Sequence, residues 1–291
     1  MKHLFLALPI ALLLVTPGCS DDAPAQPLAK KTEKLAPETP KSMGAMTFEI
    51  EGSEANVEFS MDAPFEKIRG RVPATAINGT LHIDLDDLTK TTGLVHVDLA
   101  ELELFQRVAN DDGNFGEEIK SAGQNEHARN WLEIGPDAPD DVRAKNNRVE
   151  FSLKEVKSPS ATDIKTLKGD VRSVTFTATG DFLLHQRAAA KTTDIEMVFH
   201  FKGDTVEKVA VKTVKPLAIG LDEYDVRPRE AFGKLAAKTL AAVSSKVAKE
   251  AAVSVAFVAT AKPGAKPAAA AKPAEVKAAA KPGEEKPKPG Y

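Results

Sequence analysis

Apolar and polar residues alternate with period two through most of the chain between residues 46 and 260. In "NVEFSM", Val57, Phe59 and Met61 fall in one phase; in "GTLHIDL", Leu81, Ile83 and Leu85 do, with His82 and Asp84 opposite. "LVHVDL" sets Val95, Val97 and Leu99 against His96 and Asp98, and "RVEFSL" sets Val149, Phe151 and Leu153 against Glu150 and Ser152. "VTFTATGDFLL" carries Val174, Phe176, Ala178 and Phe182 in one phase, "DIEMVFHF" Ile195, Met197, Phe199 and Phe201, and "VSVAFVAT" Val253, Val255 and Phe257. Such alternation marks strands with one face buried and one toward solvent. Asn78-Gly79, Thr92-Gly93 and Lys202-Gly203-Asp204 read as turns between strands. At least seven strands of this kind predict a mainly β domain, either a barrel or a sandwich.

Two stretches break the alternation. "NEHARNWLEI" (residues 125–134) predicts a short helix with Asn125 as its cap. "AFGKLAAKTLAAVSSKVAKEA" (residues 231–251) lines up Phe232, Leu235, Leu240, Val243 and Val247 along one stripe and predicts a longer amphipathic helix, suited to covering a sheet or the mouth of a barrel.

The ends of the chain are of another kind. Met1-Lys2-His3 precedes twelve apolar residues, Leu4 to Val15. Spanning a bilayer takes about 20, so residues 1–18 read as a secretory signal peptide. Cys19, the single cysteine, follows Gly18 in the manner of a bacterial lipobox, although Thr16, then Pro17, stands where that motif favours leucine three residues before the cysteine. Cys19 is therefore expected to carry lipid and to begin the mature chain, anchored in the envelope and facing the periplasm; Ser20 favours the outer membrane. Residues 19–45, with Pro24, Pro27, Pro37 and Pro40, offer little to bury and read as a disordered tether. Residues 261–291, rich in Ala, Lys and Pro, read as a disordered tail; seven lysines against three glutamates leave it positive.

With 42% hydrophobic residues and a formal net charge of −3, the chain as a whole has the composition of a soluble globular protein and not of a nucleic-acid binder. No Gly-rich phosphate loop, G-x-S-x-G elbow or H-E-x-x-H motif is present, so no catalytic role or cofactor is expected. His82/Asp84 and His96/Asp98 could offer four metal ligands on adjacent strands. They occupy the solvent phase, however, where such cross-strand neighbours are ordinary, and no metal site is expected. His185 and His200 have no acidic partner nearby in sequence, and Asp111, Asp112, Glu117 and Glu118 sit in a Gly/Asn-rich loop that reads as solvated.

"NVEFSMDAPFEKIRGRV" followed by "NGTLHIDLDDLTKTTGLVHVDLAEL" resembles the first strands of the YceI-like family of periplasmic polyisoprenoid-binding proteins, with Lys67-x-x-Gly70 in the place of that family's turn. "NEHARNWLEI" is similar to the family's short helix. "TGDFLLHQRAAAK" matches its signature at Gly180, Asp181 and His185, and "LAIGLDEYDVRPREAFGKL" resembles the approach to its last helix and strand. The likeness runs from about Phe48 to Thr260. It departs where Gln186 replaces the glycine after the histidine and where the loop from Phe105 to Gln124 is longer. The resemblance implies a lipocalin-like antiparallel β-barrel with one short and one longer helix, holding an isoprenoid or other apolar lipid inside as carrier or protector. Phe59, Val97, Leu99, Phe151, Phe176, Phe182, Met197 and Phe199, all in the apolar phase, are then expected to line one cavity. The alternative is a solid barrel without ligand, in a structural or interaction lipoprotein.

Overall fold

The computed structural model describes residues 27–227 and 249–262. Strand β1 is Lys30–Lys31 and β2 is Met46–Ala63; β3 (Glu66–Arg71), β4 (Ile77–Ile83), β5 (Thr92–Asp98), β6 (Glu103–Val108) and β7 (Ile119–Lys120) follow. Helices α1 (Ala122–Trp131) and α2 (Asp140–Asn146) precede β8 (Arg148–Lys157), β9 (Val171–Leu184), β10 (Arg187–Lys202), β11 (Thr205–Thr213), β12 (Leu217–Gly220) and β13 (Glu250–Ala261). Around the ring β2-β4-β5-β8-β9-β10-β11-β13 each strand pairs antiparallel with the next, and β13 returns to β2. Alternation permits a barrel or a sandwich; this closure makes it an eight-stranded barrel.

One strand gives the barrel its two unlike ends. The first residues of β2, Met46 to Glu49, pair with β4, whereas Glu58 to Ala63 pair with β3. Between them a bulge against β13, where Asn56 and Glu51 face Ala256 and Val258, bends β2 away from β4. Beyond the bend, β3, β6 and β7 flare off as a ribbon, and α1 packs beside β6 at that end.

The seven alternating segments correspond to β2, β4, β5, β8, β9, β10 and β13, with Leu85 and Leu99 just past the ends of β4 and β5. The remaining barrel strand, β11, was not legible. A bulge near His200/Phe201 shifts its register, so buried Val206, Val209 and Val211 do not keep period two. Asn78-Gly79 and Thr92-Gly93 are not turns but paired positions inside β4 and β5. Gly93 is small because Leu81 lies across it: a Cβ there would stand 2.5 Å from Leu81 Cδ2. The true β4–β5 connection is held by Asp84, whose Oδ1 accepts from the N–H groups of Asp86 (2.9 Å) and Asp87 (3.1 Å). Lys67-x-x-Gly70 also lies in a strand, β3; the turn precedes it at residues 64–65.

The expectation of a disordered tether over residues 19–45 is corrected for residues 27–45, which form a strap along the outside of the barrel. Thr32 N–H donates to the Gln186 carbonyl (2.8 Å), and Leu35 N–H to Glu150 Oε2 (2.7 Å). Ser152 Oγ donates to Glu38 Oε1 (2.6 Å), and Thr92 Oγ1 to the Thr39 carbonyl (3.1 Å). Polar contacts to distant strands, together with buried Ala29, Leu35 and Ala45, hold a segment whose own composition gives no reason for order. Residues 1–26, Cys19 among them, and residues 263–291 of the tail lie outside the described residues.

The short helix starts earlier than expected. Its cap is Ser121, whose side chain accepts from Gln124 N–H, and Asn125 lies buried within it. A second short helix, α2, was not anticipated, although Pro139 before it and Asp140 and Asp141 in its first turn are ordinary helix-start chemistry. Of the longer helix expected over 231–251, residues 231–248 lie outside the described residues, and Glu250 and Ala251 belong to β13.

Candidate functional site

The inward side chains form two clusters stacked along the barrel. In the first, away from α1, Phe48, Ile83, Leu88, Val174, Phe199 and Val209 are at most 1% exposed and pack directly on one another. Each such burial is worth about 1.5–3 kcal/mol, and these six side chains border neither of the two cavities described next. In the second, on the α1 side, many apolar residues remain half-buried, among them Val57, Phe59, Met61, Val149 and Phe151. They surround space. A cavity of about 170 Å³ lies between the strands and α1, and a second of about 100 Å³ lies further along the barrel, where Leu81, Leu153, Phe176 and Met197 of the first cluster wall it. Val95, Phe151, Phe182, Val253 and Val255 line both.

Two glycines explain how large rings can wall this space. Phe59 lies across its cross-strand partner Gly70, where a Cβ would stand 1.9 Å from the ring. Gly180 lies under Phe151, where a Cβ would stand 2.7 Å from the ring and 2.3 Å from the Ser152 carbonyl oxygen. Any side chain at either position would push an aromatic ring out of place. The Gly180 of the signature therefore has a packing role.

Of the eight residues expected to line one cavity, Val97, Leu99 and Phe59 border the larger and Phe176 and Met197 the smaller. Phe151 and Phe182 border both. Phe199 borders neither; it is fully buried at the packed end of the first cluster, because the apolar phase of β10 continues past the cavities into that core. The expectation of a single cavity lined by all eight is corrected accordingly. Sequence reasoning missed Leu102, Leu104, Trp131, Ile219 and Leu221, which reach the larger cavity from the start of β6 and the residue before it, from α1, and from β12 and the residue after it. None of these segments shows a strand-like alternation long enough to register.

The rim is built from α1 and the β9–β10 turn. Asn125 Oδ1 accepts from Leu104 N–H (3.0 Å), while its Nδ2 donates to the carbonyls of Leu104 (2.9 Å) and Ser121 (2.7 Å). That clamp fixes the helix to β6. Gln124, half-buried, and His127, exposed and stacked on Trp131, line the larger cavity, so it reaches the surface beside α1. Past the helix end, His185 Nε2 lies 2.9 Å from Glu133 Oε2 and its Nδ1 lies 3.0 Å from the Tyr224 carbonyl. His185 and Gln186 adopt left-handed backbone (φ 48° and 55°), a two-residue hairpin turn in which neither residue is glycine. Gln186 is steadied by donating to Asn146 Oδ1 (2.8 Å). His185 thus has an acidic partner 52 residues away, which its sequence neighbourhood did not reveal, and it ties α1 to the segment carrying Leu221 and Val226 at the rim. Tyr224 packs edge-on against Phe182 (5.6 Å between centroids), and burial pushes its hydroxyl pKa up.

The two H-x-D units do not converge. His82 pairs with Thr92, and His96 with Asn78, so the histidines stand four residues apart along the ladder. His82 Nδ1 lies 3.1 Å from Thr47 Oγ1. His96 lies under the strap, 3.9 Å from Glu150, which Arg148 also pairs at 2.7 Å. Burial lowers the pKa of both imidazoles, and Arg148 lowers that of His96 further. Of the loop carboxylates, Glu118 pairs with Arg71 (2.8 Å), which also holds Glu58. Among the described residues no group of three or more His, Cys, Asp or Glu side chains is placed to hold a metal.

No family model and no curated protein matches this chain. Among solved structures it is similar to a polyisoprenoid binding domain from Saccharophagus degradans implicated in plant cell wall breakdown, at 12% identity and a TM-score of 0.45. The match covers 75% of this chain and 99% of that domain. At that identity and score the likeness transfers neither ligand nor mechanism.

Proposed function

We propose that this protein is a lipid-anchored envelope protein that shelters part of a long apolar chain, of the isoprenoid class, in the α1-side half of its barrel, and that it acts by binding without chemistry. The observation that carries the reading is the pair of cavities walled almost wholly by aliphatic and phenyl side chains; the polar side chains among their lining are Gln124, His127 and Glu150 at the larger and Thr193 and Thr213 at the smaller. An apolar cavity of about 150 Å³ stays dry and admits a benzene-sized ligand. By that measure the two cavities take about two isoprene units, and the rest of a longer chain leaves past α1. Each buried CH₂ contributes about 0.8 kcal/mol, so such a segment binds without a charged contact. The isoprenoid class rests on the sequence resemblance, and the anchor on Cys19.

Native mass spectrometry with lipid extraction, on protein purified from its own host, tests this. The expected result is a bound lipid with an isoprene-repeat mass. Recovery of fatty-acyl lipid would keep the chamber and remove the isoprenoid class. Protein that is free of lipid in every preparation would leave the solid-barrel reading in its place.

A further inference from the structure

We infer that the α1 end of the barrel, tipped by Phe65, rests directly on a lipid bilayer, so that the larger cavity opens toward the membrane that holds its ligand. This deepens the lipid-binding and anchor readings above and rests on them.

Seven large apolar side chains stand exposed among the described residues, and four of them, Leu28, Phe65, Val108 and Ile119, belong to this end. Phe65 is the most exposed, at 77%, in the turn between β2 and β3. Its neighbour Glu66 accepts from Gln124 Nε2 (2.7 Å), and Gln124 lines the larger cavity, so the tip and the rim are one residue apart. Val108 pairs with Glu66, and Ile119 pairs with Gln106, two residues from Val108; the register sets both on one face of the ribbon.

The chain also arrives at this end. Ala29 N–H donates to the Glu223 carbonyl (2.8 Å), and β1 pairs with Arg187 and Ala188 beside the β9–β10 turn. Leu28, exposed, immediately precedes that contact. Cys19 lies eight residues before Pro27, and eight extended residues reach at most about 29 Å. A lipid on Cys19 therefore keeps the cavity end close to the membrane. Charges near the tip are mixed and largely paired, Arg69 with Asp62 and Arg71 with Glu58 and Glu118. The contact is thus apolar insertion, with little dependence on salt.

The test uses the mature chain, residues 19–291 with Cys19→Ser, made without the leader so that neither lipid nor the apolar run Leu4 to Val15 is present, and phosphatidylcholine vesicles. Phe65→Trp should add a fluorescence signal that shifts to the blue on vesicles and is quenched by brominated acyl chains, measured against the parent, in which Trp131 is the only tryptophan. Phe65→Ser should lower partitioning about tenfold, as expected for one phenyl group, and Val108→Ser should lower it less. Raised salt should change neither result. An unquenched signal from position 65, or Phe65→Ser partitioning like its parent, overturns the proposal. Uptake of a fluorescent apolar probe in vesicle-free buffer separates the two readings, since Phe65 lies outside both cavities and its serine variant should take up probe like the parent. A parent that docks on vesicles but takes up no probe supports the docking surface and sinks the chamber.

Discussion

Phe199 and Phe151 both belong to the apolar phase of barrel strands, yet one is sealed and the other borders two cavities. On the closed side, β2 and β4 stay paired and the inward side chains meet across the barrel. On the other side, β2 turns away to β3, and the gap is roofed by a helix that a buried asparagine clamps to β6. One ring of strands thus yields a stabilising plug and a chamber, because a single bulge changes which neighbour β2 pairs with. On the proposed function, stability and binding are divided along the barrel axis.

The sharpest way to break this comparison is to delete a ring from each half. Phe199→Ala should cost about 3–5 kcal/mol, the usual penalty for opening a void in a filled core, read by denaturant unfolding. Phe151→Ala should cost distinctly less, because part of its surroundings is already empty. Equal losses would mean that both halves are packed alike.

Next in size are the devices that close the chamber. His185→Ala leaves Glu133 and the Tyr224 carbonyl without that partner, and a lost buried hydrogen bond costs about 1–3 kcal/mol. Hydrogen exchange should show the loss at α1 and residues 221–226, with the closed half protected as before. Uniform loss of protection would deny His185 a local role. Glu150→Gln should weaken the charge-assisted bond from Leu35 N–H and the pairing with Arg148. Faster proteolysis within residues 33–45 is the expected readout; unchanged cleavage would show that the strap does not depend on Glu150.

The smallest effect is that of pH. His82 and His96 have folded pKa values below the ordinary 6.5, chiefly through burial. The unfolded chain therefore binds protons that the folded chain refuses. This stability is fully present above about 6.5 and declines as pH falls below it. Thermal midpoints should fall modestly from pH 7 to 5.5, and less so in His96→Gln. A midpoint that rises on acidification would reverse the sign.

Strand alternation made most of the barrel legible, since a half-buried strand imposes the same period wherever it lies. It failed at β11, where a bulge breaks the phase, and at Asn78-Gly79 and Thr92-Gly93, where glycine makes room for the neighbouring strand (the Leu94 carbonyl at Gly79, the Leu81 side chain at Gly93) and not for a turn. The strap was illegible because its partners, Glu150 and Ser152, lie more than 110 residues away and its own side chains bury little. The chamber could not be told from the plug, because Phe151 and Phe199 carry the same alternation. Gly70 and Gly180, glycines inside strands that oppose phenylalanines, were the available signal for walls built with large rings.

The most direct test of a chamber is thermal unfolding of the wild type and of Val97→Trp, each with and without a long-chain isoprenoid alcohol. Val97 borders only the larger cavity, so the indole fills space that the ligand needs. Ligand bound to the folded state alone raises the midpoint by mass action. The wild type should show that rise, and Val97→Trp should lose most of it while keeping a comparable unliganded midpoint. No rise in the wild type, or an equal rise in both proteins, would contradict a lipid chamber in this half of the barrel.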